Sequence, residues 1–238
     1  GLSELYTTAA EAFIQNSGGK ILLSTAAEQI RIGDDGIHLR LSQDGALQSD
    51  CLVCASPPHA TGRLLPEAFA PLKEQLSRYT SSPILSITLW FDKPITPRMF
   101  VALHNAGMDW VFNKHALYGG RDKASVGHLA MVASAAAQLI DKTDEELVTL
   151  SLEDLRSHFP TSSDARLKRS LVVRERQATF VLPAGHTRPG NKTAHRRIFL
   201  AGDWTDTGLP PTIEAAVVSG QSAAKFCLES LSSHPGRT

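Results

Sequence analysis

Cysteine is scarce, with three residues in 238: Cys51, Cys54 and Cys227. A small odd number excludes the disulfide framework of a compact secreted domain. Cys51 and Cys54 have C-x-x-C spacing, but they lie in DCLVCA, which reads as a strand. Residues three apart on a strand point to opposite faces, and no second pair completes a zinc site. Net charge is also absent: 24 basic and 24 acidic side chains cancel, so no overall field recruits nucleic acid or an anionic surface. The longest mostly apolar run, Leu129 to Ile140, is broken by Ser134 and Gln138 and is shorter than the roughly 20 residues needed to span a bilayer. No basic start leads into an apolar segment, so no signal peptide is read. Internal repeats and low-complexity tracts are missing. These absences lead us to expect a cytoplasmic globular protein, with peripheral contact at the inner membrane left open and the oligomeric state unspecified. With 42% hydrophobic and 20% charged residues, the chain has an ordinary globular composition and room for one large or two small domains.

The most informative stretch present is RRIFLAGDWTDTGLPPTIEAAVVSGQSAA, Arg196 to Ala224. It reads as a buried strand (198–201), a turn of small and polar residues (202–208) and a helix opened by Pro210 and Pro211. Proline suits a first helical turn because its φ is already helical and its missing N–H would find no partner there. A strand that passes through a glycine turn into a helix N-terminus offers free N–H groups and a positive dipole end to an anionic or electron-rich ligand. Asp203 in the turn would repel a bare phosphate, which favours a ligand offering hydroxyls, such as a ribityl chain. The helix itself is rich in small residues, with Ala215, Ala216, Ser219, Gly220, Ala223 and Ala224, and such a face permits close approach of a neighbour. On physics alone the unit reads equally as a core strand followed by a core helix.

GDWTDTGLPPTIEAAVVSG resembles the C-terminal FAD-binding signature of the flavin amine oxidase and phytoene desaturase superfamily. Its wording is most similar to the squalene-associated desaturases, the hydroxysqualene dehydroxylase group. The resemblance implies that Gly202 and Asp203 sit by the pyrophosphate and ribityl chain of FAD, and that Thr212 and Ile213 face the pyrimidine edge of the flavin. The earlier run GGKILLSTAAEQIRI with its hairpin and SDCLVCASPP is similar to the dinucleotide domain of the superfamily. There the resemblance places a backbone contact to adenine at Ala27, where the family usually has valine. LKRSLVVRERQATFVLPAG and DWVFNK also resemble the squalene-associated group.

In chain order, a helix over 2–16 ends at Gly18-Gly19. Strands are expected at 20–23, 28–32 and 37–41, the last two joined at Gly33-Asp34-Asp35-Gly36 as a hairpin. A turn at Gly45 and a short buried strand over 50–55 follow. After a helical stretch over 65–79, strands are expected at 84–91, 100–103, 110–113, 125–134 and 167–177. One amphipathic helix, 143–159, is capped by Thr143 with Glu146 three residues on. The expected fold class is α/β with an α+β insert. A partial FAD-binding Rossmann-like domain, from segments 1–75 and 186–238, would flank an antiparallel-sheet substrate domain at 76–185.

A dinucleotide-binding domain of this kind normally opens with a strand, G-x-G-x-x-G and a helix, and no such string occurs here. Gly1 is not an initiator, and the chain enters directly into a helix. An N-terminally truncated or processed chain is therefore expected, and alone it should bind FAD weakly or not at all. The resemblance implies reductive dehydroxylation of hydroxysqualene to squalene, a step towards hopanoids, with an apolar isoprenoid as partner and no nucleic acid. A carotenoid desaturase, an amine oxidase and a non-catalytic fragment stay open as alternatives. Loss of a hydroxyl wants a proton donor, and His104, His115 and His128 are candidates by type, with no assignment among them. Trp90, Phe91, Phe100, Trp110, Phe112 and Phe180 are candidates for a greasy channel, although most are expected in the core, where large apolar residues usually lie.

Overall fold

The structure, a computed structural model, describes residues 2–120 and 126–233, with side chains from Tyr6 onward. Gly1, the first residue of the expected 125–134 strand (Ser125) and positions 234–238 of the last expected segment lie outside the described residues. The chain divides into two compact units, one of residues 1–78 with 187–238, the other of residues 79–186.

In the first unit, helix α1 (Leu2–Asn16) leads to the strands β1 (Ala27–Ile32), β2 (Ile37–Leu41) and β3 (Ala46–Ser49), an antiparallel sheet in that order. The Gly33 amide donates to the Gly36 carbonyl at 2.8 Å and closes the β1–β2 hairpin. β4 (Leu52–Cys54) pairs in parallel with β10 (Ile198–Leu200), which is buried along its whole length. The helices α2 (Pro58–Leu64) and α3 (Ala70–Ser77) are separated by one 3-10 turn, and α6 (Ile213–Ser232) closes the unit. Arg197 ties the last strand back to the hairpin by donating from Nη2 to the Gly33 carbonyl at 3.0 Å.

The second unit is an antiparallel sheet in the order β6 (Phe100–Ala102), β7 (Trp110–Asn113), β8 (Gly127–Ala133), β5 (Thr80–Phe91), β9 (Leu167–Val181). Strict alternation writes this sheet. Along β8 every second residue from Gly127 to Ala133 is buried, and β5 repeats the pattern from Leu85 to Phe91. The inner face carries Leu85, Ile87, Leu89, Val111, Leu129 and Met131, which pack with Leu147 and Leu155 of α5 (Asp144–His158) into one core. Each such side chain contributes about 1.5–3 kcal/mol by leaving water. Thr143 caps α5 in a full capping box: its hydroxyl accepts from the Glu146 amide while the Glu146 carboxylate accepts from the Thr143 amide at 2.8 Å. A short helix α4 (Lys114–Leu117) is capped by Asn113.

Four expectations are corrected. Residues 20–23 form no strand, because Leu22 and Leu23 are exposed and no strand lies beside them to pair. The 65–79 helix is broken, since Pro66 and Pro71 each restart the backbone and the regular helix begins only at Ala70. The last helix begins at Ile213 rather than at the prolines, because Thr212 is extended and acts as the N-cap, its hydroxyl accepting from the Ala215 amide at 3.2 Å. Of the six large aromatics expected mostly in the core, Phe91 alone is buried.

Candidate functional site

In the first unit, the turn between β10 and α6 is held by a buried knot of polar groups. Ser219, one turn and a half into α6, is fully buried. Its hydroxyl oxygen accepts from the Gly202 amide at 3.0 Å and from the Asn191 side chain at 2.9 Å. The Thr205 hydroxyl donates to the Gly202 carbonyl at 2.9 Å, so the Ser219 hydroxyl is left to donate to Thr205 Oγ1 at 2.6 Å. Every hydrogen of the two hydroxyls is thereby used, which is the condition for burying them without loss. Asn191 also donates to the Leu200 carbonyl at 2.8 Å, tying the strand end to the helix. Arg188 braces the far side by donating to the Leu209 carbonyl at 2.6 Å.

Within this frame Gly202 has φ +141°, and a side chain there would run into the Trp204 indole. Trp204 is itself buried and donates from Nε1 to the Ser56 carbonyl at 3.2 Å. Glycine is therefore required by the turn itself, before any ligand is considered. Asp203 is half-buried, and burial raises its carboxyl above the ordinary range, although its own amide and that of Trp204 pull it back down. Thr212 and Ile213 are exposed at the start of α6. Thr212 serves the Ala215 and Ala216 amides with its hydroxyl and its carbonyl, so the amides of Ile213 and Glu214 remain as the open donors of the helix start.

Ala27 is also in this unit. It opens β1, an edge strand of its sheet, and the pairing register slips between Ala27 and Gln29. The outer side of an edge strand has backbone groups with no strand to pair with. Beside β1 lies a cavity of about 710 Å³, bordered by Glu28, Ile30, Arg31 and Arg40 on the sheet and by Arg63 and Leu65 beyond it. The groups of this unit thus suit a ligand with an aromatic amine end, hydroxyls and an electron-rich ring edge: the edge strand that Ala27 opens, a carboxylate at Asp203 and helix-start amides at Ile213 and Glu214.

The second unit contributes a different surface. Opposite its packed core, the sheet's other face carries two cross-strand rows. Phe100, Phe112, Ala130, Thr88 and Leu171 stand side by side in one, and Ala102, Trp110, Val132, Ser86 and Val173 in the next. Phe100 is 58% exposed, Val173 50%, Leu171 45% and Trp110 40%. An apolar face of this breadth outside a core marks a binding surface more often than a solvated one. At one end the rows meet a polar group of three: His128 stacks on Trp90 with ring centroids 4.8 Å apart, and the Arg169 guanidinium lies over the other partner position at 4.8 Å from the Trp90 ring.

The three histidines are thereby separated. His128 stands on the apolar face. His104 is exposed in the loop after β6, and its carbonyl accepts from His158. His115 lies in α4 with a buried Nδ1 that has no partner among the described residues. Of the two cysteines expected in one strand, only Cys54 lies in β4, buried, while Cys51 precedes it, half-buried, and no group of three metal-ligating side chains forms among the described residues. Sequence reasoning passed over Asn191 and Thr205, met Arg188 only as part of the family resemblance, and took Ser219 for one more small residue of a helix face. The available signal was an isolated hydroxyl in an otherwise alanine-rich stripe.

Residues 1–228 match the flavin containing amine oxidoreductase family, so the chain belongs to that family, a family of oxidoreductases whose cofactor is FAD. Among curated proteins it is 29% identical to hydroxysqualene dehydroxylase of Sinorhizobium fredii over 96% of this chain and 51% of that protein. It is 24% identical to 15-cis-phytoene desaturase of Solanum lycopersicum over 94% of this chain and 41% of that protein. Cyclohexylamine oxidase of Brevibacterium oxydans shares the fold, with a TM-score of 0.71 at 16% identity over 94% of this chain and 51% of that one. The chain spans about half the length of the curated relatives it matches. Among the described residues, no helix is long and apolar enough to cross a membrane.

Proposed function

We propose that this chain is part of an FAD-dependent oxidoreductase acting on a C30 isoprenoid, by reductive dehydroxylation of hydroxysqualene to squalene. The observation that carries the reading is the open apolar face of the second unit, broad enough in its two aromatic and aliphatic rows for an unfunctionalised hydrocarbon chain. The names of the Sinorhizobium and tomato relatives, a hydroxysqualene dehydroxylase and a phytoene desaturase, both point to isoprenoids. When bound, FAD supplies the hydride chemistry.

In this reading the chain's own residues do three things. Ala27 offers backbone to the adenine end. Gly202 and Asp203 place a hydrogen-bond acceptor by the ribityl hydroxyls, and Thr212 orients the start of α6 so that the amides at Ile213 and Glu214 favour negative charge on the ring edge in front of them. His128, at one end of the apolar face, is the candidate to protonate a departing hydroxyl, with Trp90 between it and Arg169.

Two measurements test this. The first is visible absorbance of the purified chain against a form extended upstream into the adjoining reading frame. We expect flavin in the extended form, and a tight stoichiometric complex of the shorter chain overturns the view that it lacks a pyrophosphate anchor. The second is anaerobic product analysis of the flavin-loaded form with hydroxysqualene. Squalene formed only with the reduced cofactor is the expected result. New double bonds formed only with the oxidised cofactor would assign the protein to the desaturases, the second reading, which the phytoene desaturase similarity supports.

A further inference from the structure

The C-x-x-C spacing draws attention to the wrong pair. Cys51 stands just before β4, and together with Cys227 of α6 it packs against the same small core of Phe199, Ala201 and Ala223. The Cys51 side chain is near enough to Cys227 to raise its thiol. Both thiols are half-buried and free, while Cys54 is buried. Two thiols packed on one core, with the Leu52 amide bonded to the Arg197 carbonyl and the Ser230 hydroxyl to the Arg196 carbonyl, are brought together from both sides of the start of β10, and proximity without backbone movement is the main geometric demand of a disulfide.

We propose that Cys51 and Cys227 form a reversible disulfide that staples α6 to the start of β4 under oxidising conditions. The oxidant is a small-molecule disulfide such as oxidised glutathione. The Cys51 thiolate attacks one of its sulfurs, breaking that S–S bond and releasing one small thiol. Cys227 then gives up its proton and attacks the mixed disulfide at Cys51, forming the protein S–S bond and releasing the second small thiol. The protein loses two hydrogens and two electrons, and the small disulfide is reduced to two thiols.

The order of attack follows from the surroundings. Burial, and next the contact with Cys51, push the Cys227 thiol up to about 11, which makes it the slower nucleophile and the resolving partner. Burial alone pushes Cys54 up to about 11 as well. The two bridged positions lie 176 residues apart (227 − 51), so the bond would restrict the unfolded ensemble strongly. In the folded state it would fix the C-terminal half of the helix whose first turn carries Thr212 and Ile213.

The test is a non-reducing peptide map of the intact protein after equilibration with oxidised glutathione, with remaining thiols blocked under native conditions. We expect one linked pair, Cys51 with Cys227, and one free thiol at Cys54. The melting midpoint followed through Trp204 should rise by several degrees and return when reductant is added. Cys54→Ser should leave both results intact, and Cys51→Ser or Cys227→Ser should abolish the link. Full labelling of Cys51 and Cys227 after oxidation, a link that includes Cys54, or a bond formed only between two molecules overturns the proposal. Because the map is read on the unaltered protein, misfolding of a variant cannot decide it.

Discussion

The two units bury their apolar surface to different degrees. Residues 79–186 close a core from Leu85 to Leu155 with the sheet on one side and α5 on the other. The first unit buries Ile37, Leu65, Leu76, Ile198 and Leu200, with a cluster of Phe199, Ala201 and Ala223 against α6, yet it leaves Leu23 79% exposed, Phe13 72% and Leu228 65%. Both units have clear amphipathic patterns, so the difference is not one of local propensity. It is that the five-stranded sheet and α5 share one inner face, whereas the first unit divides its strands between a three-stranded sheet and the β4–β10 pair, with four helices distributed among them. The first unit compensates with hydrogen bonds: Ser219, Thr205, Asn191 and Arg188 do for the β10 to α6 turn what packing does for the second unit.

The comparison is sharpest where a single change should damage one unit and spare the other. The largest effect is expected from Asp154→Ala. This buried carboxylate accepts from the Met108 amide at 2.8 Å and the Gly107 amide at 3.2 Å, and stranding both donors should cost about 3 kcal/mol. Hydrogen exchange followed by mass spectrometry should show the loss across residues 79–186 alone; an equal loss in peptides of the other unit would mean that the two fold as one. Gly202→Ala comes next. Positive φ and the Trp204 indole both oppose a side chain there, with an expected cost of about 2 kcal/mol. The change should appear in Trp204 emission and leave the unfolding of the second unit unaltered.

The smallest expected effect is a pH dependence confined to the second unit. His158, in the last turn of α5, points Nδ1 at the Asp154 carbonyl at 2.8 Å and Nε2 at the His104 carbonyl at 3.1 Å. Two carbonyl acceptors call for two N–H groups, so Asp154 first and His104 second raise the histidine above its ordinary 6.5. A raised folded value means that the stabilisation is complete below the unfolded value and is lost as pH rises through the folded one. The ring is largely in solvent, so the gain is under about 1 kcal/mol. His158→Gln should flatten the stability of the second unit above about pH 6.5, and an unchanged slope would assign the dependence to another group.

Several features were legible because they are local. The Thr143–Glu146 capping box, the Gly33–Gly36 hairpin turn and the alternation of β5 and β8 each depend on residues a few positions apart, and each stands where the sequence places it. The family signature at Gly202 to Gly220 was legible for the same reason. Strand 46–49 was passed over because ALQS has little alternation, and its place is set by pairing with β2. The start of α6 was read one turn early because proline suits a first turn, yet Thr212 supplies a side-chain acceptor and proline does not.

What the sequence by itself determined is therefore the set of caps, turns and strand periods, together with the membership of a flavin-dependent family that the signature implies. Which cysteine would meet Cys51, whether Trp110 and Phe112 lie in a core or on an open face, and why Ser219 is a serine were decided only by tertiary structure. The physical reason is common to all three: each depends on which face of an element is covered by a segment remote in the chain, and periodicity defines the faces without saying what covers them.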